Sequence, residues 1–339
     1  MTMRFAFVGF RHNHVMDMFA RCQDRADIDV VACCEENAPT REALAADGNV
    51  SITHSDFAHL LENTECDVVA IGDCYGRRGD LAIAALQAGR HVISDKPLCI
   101  SLQELDQIER LARERKLTVG CMLDSRDLPV FAGIREQLQA GVIGEVRTIS
   151  FDGQHPLLFG KRPDWYFEPG MHGGTLNDIA IHAIDLIPWA TGFAWQSIVG
   201  ARCWNGRLPQ FPHFRECGQA ILTLENGAGV LGDVSYLTPD SFAYKMPLYW
   251  RFTLWGDGGV LVATMNRATI TLYRDGEVEP REIPLPAGRP GGYLDAFLAD
   301  VAGNSEEHAL TSADVLQAAR ISLTLQQIAD DPATERRLA

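Results

Sequence analysis

Five short apolar runs divide the first third of the chain. They cover residues 4–9, 28–34, 67–72, 91–94 and 117–121. Runs of this length, rich in valine and isoleucine and stopped by glycine or polar residues, predict buried strands. The segments between them place apolar residues every three or four positions, which predicts helices. Strands and helices that alternate in this way form right-handed βαβ units and a doubly wound parallel sheet.

The predicted helices of this part lie between the strands. They cover residues 15–22, 39–46, 56–61, 79–88 and 102–116. A further short strand is predicted near residues 51–53. The alternation ends near residue 123, where we place the domain boundary.

Beyond the boundary the pattern changes. A helix is predicted at residues 131–140, a strand at 146–152, and a second helix at 173–192 after a loop rich in proline and aromatic residues. Six strand patterns then follow without helices between them, at residues 197–204, 219–225, 229–236, 249–255, 259–262 and 269–273. Asn226-Gly227 is a strong hairpin signal. We therefore expect an open, mostly antiparallel sheet with helices on one face.

These patterns predict two domains, of class α/β plus α+β. Residues 1–122 form the doubly wound domain and residues 123–339 the domain with the antiparallel sheet. Closing helices are predicted within residues 291–330, and they are able to pack back on the first domain. A chain of 339 residues is long enough for two cores.

Composition narrows the class of partner. The net charge of −15 disfavours nucleic acid, which requires a basic surface, and it disfavours anionic membranes. No apolar run reaches the length of a membrane span, and the first residues enter a strand pattern without the features of a signal peptide. Nine cysteines without CxxC pairs are typical of a reduced, cytoplasmic protein. A small-molecule cofactor remains compatible with all of this.

An acid and a histidine interrupt the apolar helix predicted at residues 173–192. Asp178 and His182 are four positions apart, so they lie on one side of a helix, about one turn apart. Each is costly to bury without a partner. Either they satisfy each other as a structural pair, or they face a reactive cleft. Asp185 has two alternative roles: it supports this pair, or it is purely structural.

The turn after the first strand is a candidate cofactor site. It carries Gly9, Arg11, His12 and His14. The dinucleotide fingerprint has three glycines here, and only Gly9 is present, although Arg11 is able to meet a pyrophosphate directly. Glu35 or Glu36, after the second strand, is placed to bind an adenosine ribose, which favours NAD over NADP because an acid repels the extra phosphate. An ordinary βα turn and a solvated Glu35 are the alternatives.

Lys96 and Pro97 follow the strand predicted at residues 91–94. Open α/β sheets bind ligands at the carboxyl ends of their strands, so Lys96 is a candidate for contact with substrate or cofactor. Pro97 restricts the turn and with it the conformations of Lys96. An exposed loop lysine is the commoner fate of this residue type.

Taken together, these features resemble the Gfo/Idh/MocA family, the relatives of glucose–fructose oxidoreductase and inositol dehydrogenase. The resemblance rests on the acid-Lys-Pro triplet at residues 95–97 and on Gly-Gly-x-x-x-Asp-x-x-x-His-x-x-Asp at residues 173–185, and it extends over the whole chain. It implies a Rossmann domain that binds NAD, with NADP less favoured, followed by a substrate domain. It also implies a lysine at Lys96 that contacts nicotinamide and substrate, an acid/base at His182, and a substrate-orienting aspartate at Asp178.

The chain departs from the family pattern at several cofactor-facing positions. Asp95 stands where glutamate is usual, Asp73-Cys74 stand where the family has a Thr-Pro pair, and Arg78 stands where it has a histidine. With Arg11 and His14 in place of glycines, these substitutions recast the loops that face the cofactor.

The residues fit the oxidation of a secondary alcohol. His182 is able to accept the proton, because the pKa of a histidine lies near neutrality. Lys96 is able to stabilise the developing alkoxide, and Asp178 to hold a neighbouring hydroxyl. A metal site from His172, Asp178 and His182 has no supporting motif, so no metal is expected.

Further substrate contacts are expected from the loop at residues 155–170. His155, Arg162 and Trp165 combine donors with aromatic faces, which suits a sugar or polyol. Arg162 is able instead to meet a substrate carboxylate, and packing at a subunit interface is the alternative for the whole loop.

Three functions follow from this interpretation. The first is an NAD(P)-dependent dehydrogenase of a sugar, polyol or inositol-like substrate. The second is a lyase, epimerase or glycosidase that oxidises its substrate only transiently with bound NAD. The third is a non-catalytic nucleotide-sensing protein, which the combination of Lys96, Asp178 and His182 disfavours. An uncovered apolar sheet face would lead to a homodimer or homotetramer.

Overall fold

The structure, a computed structural model, describes residues 2–331. The chain divides into two compact units. The first contains the chain up to Leu123 together with Gly170–Gly173 and Gly291–Ala319. The second contains Asp124–Pro169, Gly174–Pro290 and the described residues from Arg320 onward.

The first unit is built on a five-stranded parallel sheet. Its strands are β1 (Met3–Val8), β2 (Ile28–Cys34), β3 (Val68–Ile71), β4 (His91–Ser94) and β5 (Val119–Cys121). Their order is β2-β1-β3-β4-β5, so the chain winds outward in both directions from β1, and every pair is parallel. The predicted doubly wound sheet is confirmed.

The short strand predicted at residues 51–53 is wrong. Only His54 makes an isolated bridge, to Cys34. The amides of Thr53 and His54 both donate to the carbonyl of Cys33, at 2.9 and 3.1 Å. Two donors on one acceptor cannot continue a regular ladder, so no strand develops.

Five helices accompany this sheet. They are α1 (His14–Gln23), α2 (Ala38–Asp47), α3 (Phe57–Asn63), α4 (Tyr75–Gln87) and α5 (Leu102–Arg115). Helix α5 begins with a capping box, in which Ser101 accepts from the amide of Glu104 and the Glu104 side chain accepts from that of Ser101. Helix α4 begins four residues before its predicted start, because Tyr75 and Arg78 are buried and extend its inner face.

The second unit contains an eight-stranded sheet. Its strands are β6 (Val146–Pro156), β7 (Trp195–Trp204), β8 (Cys217–Leu224), β9 (Gly229–Thr238), β10 (Arg251–Gly256), β11 (Gly259–Thr264), β12 (Thr269–Arg274) and β13 (Arg281–Pro284). The order is β13-β12-β11-β10-β6-β9-β8-β7, and only the β6–β9 pair is parallel. The predicted mostly antiparallel sheet is confirmed, including the β8–β9 hairpin at Asn226-Gly227. Strand β13 was not predicted, because its sequence is largely polar and exposed.

Two helices of this unit lie before and after strand β6 in the chain. Helix α6 spans Pro129–Gln139, and helix α7 spans Ile181–Thr191. The segment at residues 173–192 was predicted as one α-helix, and this is wrong over its first turn, where Leu176–Ala180 form a π-helix. Such wider turns occur frequently at functional sites. Gly192 ends α7 in the left-handed conformation, as its sequence predicts.

The proline inside α7 is compensated from the next strand. Pro188 has no amide hydrogen, so the carbonyl of Ile184 loses its helical donor. The indole Nε1 of Trp195 donates to this carbonyl at 2.9 Å. Strand β7 therefore supplies the hydrogen bond that the helix cannot make, and it holds α7 on the sheet.

Helices α8 (Gly292–Val301) and α9 (Ser312–Asp330) close the described chain. Phe297 of α8 lies against Gly120 of β5, where an added Cβ would come within 2.6 Å of its ring. Thr311 caps the start of α9 by accepting from the amide of Asp314. Within the described residues, no helix is long and apolar enough to cross a bilayer.

Replacing Trp195 with phenylalanine tests the compensation in α7. The change leaves the buried Ile184 carbonyl without its indole donor, so we expect the free energy of unfolding to fall by about 1–2 kcal/mol. Urea denaturation measures it. Phe242→Leu, in an exposed position outside the strands, is the control and should change stability by less than about 0.5 kcal/mol. Equal losses in the two variants would contradict the role given to Trp195.

Candidate functional site

In the first unit, the turn after β1 is closely packed on the end of β3. Gly9 has φ of +76°, and a Cβ there would come within 2.4 Å of the Asp73 Cβ. Only glycine fits both the conformation and the space. Arg11 then donates from Nε to Asp73 Oδ1 at 2.5 Å, so two of the predicted cofactor-binding residues form an ion pair with each other.

Glu35 lies where the sequence predicts, just after β2, but it is buried. Its carboxylate accepts from the amide of Phe10 at 2.6 Å and from that of Asn37 at 2.7 Å. Burial raises the pKa of Glu35, while these backbone donors oppose the rise. The carboxylate thus ties the β1 turn to the end of β2, a structural role that the prediction of a ribose contact did not include.

Asp95 is the centre of a buried polar cluster after β4. Arg78 donates to its Oδ2 at 2.7 Å, His12 Nδ1 contacts the same oxygen, and His14 Nδ1 lies 3.5 Å from Oδ1. Burial alone would raise the pKa of Asp95, but Arg78 and the two imidazoles outweigh it and hold the pKa well below its usual value. The carboxylate is therefore ionised inside the protein.

His12 is held as a neutral imidazole. Its Nδ1 must donate to Asp95, because an ionised carboxylate only accepts, and its Nε2 then accepts from the Tyr75 hydroxyl at 3.2 Å. Burial lowers the pKa of His12 to about 4, although Asp95 opposes this. Asp95, His12 and Tyr75 thus form one hydrogen-bonded chain. His14 is half exposed and lies at its outer end.

Arg78 supports the loop that carries Lys96. Its guanidinium is fully buried, contacts the carbonyl of Lys96, and donates to the carbonyls of Asp73 and Pro97 at 2.8 and 3.2 Å. It also lies 4.5 Å above the Tyr75 ring. Lys96 itself is buried directly after β4, at the carboxyl end of a parallel strand. Arg78 was predicted to bind cofactor, but in the structure these guanidinium donors bind backbone carbonyls around Lys96.

His172 belongs to the first unit and packs beside Tyr75, with ring centroids 5.5 Å apart. A separate group, His12, His14 and Asp95, has ligand atoms within 4.8 Å of one another, which is compatible in spacing with a metal. Arg78 already pairs with this carboxylate, so an added divalent cation would meet a buried positive charge.

In the second unit, Asp178 lies in the π-helical turn and is buried. The hydroxyl of Tyr236, from β9, donates to its Oδ2. Burial, followed by the charge of Asp178, raises the pKa of Tyr236 well above its ordinary value, so the phenol stays protonated as the donor. Sequence reasoning missed Tyr236, although its place in a buried phase of β9 was a usable signal.

His182 lies in the first turn of α7 and is also buried. Its Nδ1 is 3.0 Å from the Ser125 hydroxyl, and its ring meets that of Trp250 edge to face at 5.8 Å. Asp185 accepts two hydrogen bonds from Arg126, at 2.9 and 2.5 Å. Sequence reasoning missed Ser125 and Arg126, because nothing in their local pattern marks them.

The predicted substrate residues lie in an aromatic region of this unit. His155 is buried among four aromatic rings, with the ring centroid of Tyr249 4.8 Å away. Arg162 donates to the hydroxyls of Tyr166 and Tyr244 at 3.2 and 3.1 Å. Trp165 stacks at an angle on Tyr166 and is itself buried. The structure thus places His155 among aromatic rings and joins Arg162 to two phenol hydroxyls.

Two family models match most of the chain. Residues 3–122 match the oxidoreductase family with an NAD-binding Rossmann fold, and residues 131–262 match the GFO/IDH/MocA C-terminal domain. The chain belongs to the Gfo/Idh/MocA family of oxidoreductases. This agrees with the resemblance seen in the sequence, and the cofactor of the family is NAD.

Individual relatives are distant. Levoglucosan dehydrogenase of Pseudarthrobacter phenanthrenivorans is 26% identical over 53% of this chain and 46% of its own. The scyllo-inositol 2-dehydrogenase (NAD(+)) of Bacillus subtilis is 24% identical over 68% of this chain and 65% of its own. The match spans about half the length of the first curated relatives. A crystal structure of an oxidoreductase candidate from Erwinia carotovora atroseptica SCRI1043 is 26% identical, with a TM-score of 0.84 over 97% of this chain and 99% of that one.

The low pKa of His12 predicts a pH-dependent stability. The unfolded chain takes up a proton below pH 6.5, whereas folded His12 does so only near pH 4, so acid favours unfolding in this window. We expect His12 to remove on the order of 3 kcal/mol from the free energy of unfolding between pH 6.5 and pH 4. His12→Asn should lose this part of the dependence in urea titrations, while exposed His59→Asn should retain it. The same slope in both variants would contradict the assignment.

Proposed function

We propose that this protein oxidises a secondary alcohol of a sugar, polyol or inositol-like substrate with NAD as hydride acceptor. One observation carries the proposal. Asp178 and His182 are buried about one helical turn apart, and each has a polar partner from another element, Tyr236 and Ser125. If Asp178 and His182 only hydrogen-bonded to each other for a structural purpose, they would not need Tyr236 and Ser125 as further partners. The names of the levoglucosan and inositol dehydrogenases support the substrate class.

The first unit fits a dinucleotide at the carboxyl end of its sheet. Asp95 Oδ1 is buried there without a hydrogen-bond partner among the described residues, beside Lys96, and it would accept from a hydroxyl-bearing ligand. When bound, nicotinamide supplies the hydride acceptor. We propose NAD over NADP because two carboxylates, Glu35 and Glu36, follow β2, where a 2′-phosphate would add negative charge.

The remaining chemistry falls to side chains of this chain. Lys96 is a cation for the alkoxide that develops as the hydride leaves. His182 accepts the hydroxyl proton. Asp178, held by Tyr236, accepts from a second substrate hydroxyl and fixes the ring orientation. His155 and Arg162 contribute donors around the substrate, and His12, His14 and Arg11 remain candidates for contact with the cofactor.

The test is turnover on a panel of inositols, aldoses and sugar acids with excess NAD or NADP. We expect NADH to accumulate with at least one panel member, faster with NAD than with NADP. Lys96→Ala and His182→Ala should each lower kcat by roughly 10²–10⁴-fold, the usual contribution of a positioned acid/base or charge. Lys116→Asn, at an exposed helix end, and His59→Asn are matched controls that should keep full activity.

The outcomes separate the alternatives. Product without net NADH would replace the dehydrogenase with a lyase, epimerase or glycosidase that oxidises transiently. Binding of NAD without any product would favour a sensing protein. Full activity in Lys96→Ala and His182→Ala would remove these residues from the mechanism.

We also propose that the open face of the eight-stranded sheet pairs with a second copy of the chain. Ile221 and Leu231 lie opposite each other on β8 and β9, and Val199 sits beside them in a bulge of β7. These side chains are 48%, 54% and 63% exposed. Trp255 and Tyr273 extend the apolar surface on β10 and β12, the same face. Large apolar patches of this kind mark interfaces.

Leu231→Asp tests this interface. The wild-type chain of 37.4 kDa should give at least twice that mass by light scattering, as a homodimer or homotetramer. The variant should move toward the mass of a single chain, because a charge is costly to bury in the interface. Val278→Asp, which is fully exposed outside the strands, should leave the mass unchanged. A wild-type chain with the mass of a monomer would overturn the proposal.

We propose a cytoplasmic location because the cysteines are free thiols. All nine are buried thiols. Burial raises the pKa of several of them, for example Cys217 to about 11, so they are poor nucleophiles for disulfide exchange. Such thiols persist in a reducing compartment.

A further inference from the structure

The short 3₁₀ turn at Asp124–Asp127 opens the second unit and lies against helix α7. Its second residue, Ser125, is buried, and its hydroxyl is 3.0 Å from Nδ1 of His182. If His182 is the base, it takes the proton on the ring nitrogen that carries no hydrogen, and Nδ1, one of the two ring nitrogens, faces Ser125.

A neutral imidazole carries one hydrogen, on either Nδ1 or Nε2. If Nδ1 carries it, Nδ1 donates to the Ser125 oxygen and Nε2 holds the lone pair that accepts a proton. If Nε2 carries it, the lone pair is on Nδ1 and is used by the Ser125 hydroxyl. A histidine base needs the first tautomer, because in the second its acceptor nitrogen faces serine rather than substrate.

The next residue in the chain holds Ser125 in place. Arg126 forms a two-pronged ion pair with Asp185, with Nε and Nη2 donating at 2.9 and 2.5 Å, and both side chains are almost fully buried. Asp185 lies three residues after His182, so the pair joins the turn and α7 next to the base. A planar guanidinium on a carboxylate constrains orientation as well as distance. The guanidinium also lies 5.9 Å from the Trp189 ring, on the same helix.

We propose that Ser125 is a positioning residue that sets the tautomer of His182, and that the Arg126–Asp185 pair holds Ser125 against the ring. The inference rests on the proposed function, since it assigns the proton-accepting atom, Nε2, of that base. It also gives a role to Asp185: the carboxylate contacts no reacting group in this scheme and acts through Arg126.

The tautomer is measured directly in the full chain without substrate. Protein labelled with ¹⁵N in histidine rings is studied by NMR near pH 8, and the His182 signals are identified by their loss in His182→Gln. We expect a protonated Nδ1 and an unprotonated Nε2 in the wild type. In Ser125→Ala the preference should weaken or reverse. Ser125→Thr keeps the hydroxyl and should restore the wild-type pattern.

A matched control is available in the same unit. Ser322 is also buried, and its hydroxyl has no hydrogen-bond partner among the described residues. Ser322→Ala removes the same atom without touching the proposed contact, so the His182 signals should not change. Asp185→Asn weakens the hold on Arg126 and should shift the signals in the direction of Ser125→Ala. Urea denaturation of each variant shows that it is folded.

Kinetics with the most active member of the sugar and polyol panel complete the test. Ser125→Ala should lower kcat about tenfold with KM changed less than about twofold, as expected for loss of one hydrogen bond to the base. Wild-type NMR signals and kcat in Ser125→Ala, with His182→Ala still inactive, would overturn this inference alone. Full activity in His182→Ala would instead overturn the proposed function, whatever the tautomer.

Discussion

The buried carboxylate of Asp95 organises the first unit. It is paired with Arg78, and Arg78 in turn contacts the backbone carbonyls on either side of the Lys96–Pro97 bond. Removing either charge would leave the other buried and unpaired, which is far more costly than the pair itself. The same carboxylate fixes the tautomer of His12 and so reaches Tyr75 in α4. One interaction thus determines the shape of the loop that carries Lys96.

The residues that depart from the family pattern contact one another in this network. Taken singly, Asp95 in place of glutamate, Arg78 in place of histidine and the histidines of the first turn weaken the match to a cofactor site. In the structure they are partners: Arg78, His12 and His14 all face Asp95. Asp73 likewise meets Arg11 and closes on Gly9. Arg78 with Asp95 and Arg11 with Asp73 are therefore two ion pairs on buried carboxylates, and in each pair one partner alone would leave a charge unmatched.

In the second unit, hydrogen bonds from strands stabilise irregular helical segments. A π-helical turn holds Asp178, and α7 follows with an internal proline whose missing hydrogen bond comes from Trp195. A helix that lacks regular hydrogen bonds is normally less stable. Here the irregularities are anchored by groups from strands β7 and β9, namely Trp195 and Tyr236. The family assignment and the fold agree with oxidoreductase chemistry.

The sequence by itself determined the order and type of the main elements and marked the candidate site residues, because apolar spacing, glycine turns and caps act between near neighbours. The alternating runs, the Asn226-Gly227 hairpin, and Lys96, Asp178 and His182 could all be found this way. Only the tertiary structure decided what each polar group contacts. Glu35 binds backbone amides, and His12 meets Asp95 across 83 positions of the chain. Ser125 and Tyr236 lie 57 and 58 positions from the residues they hold, a separation at which local pattern carries no information about contact.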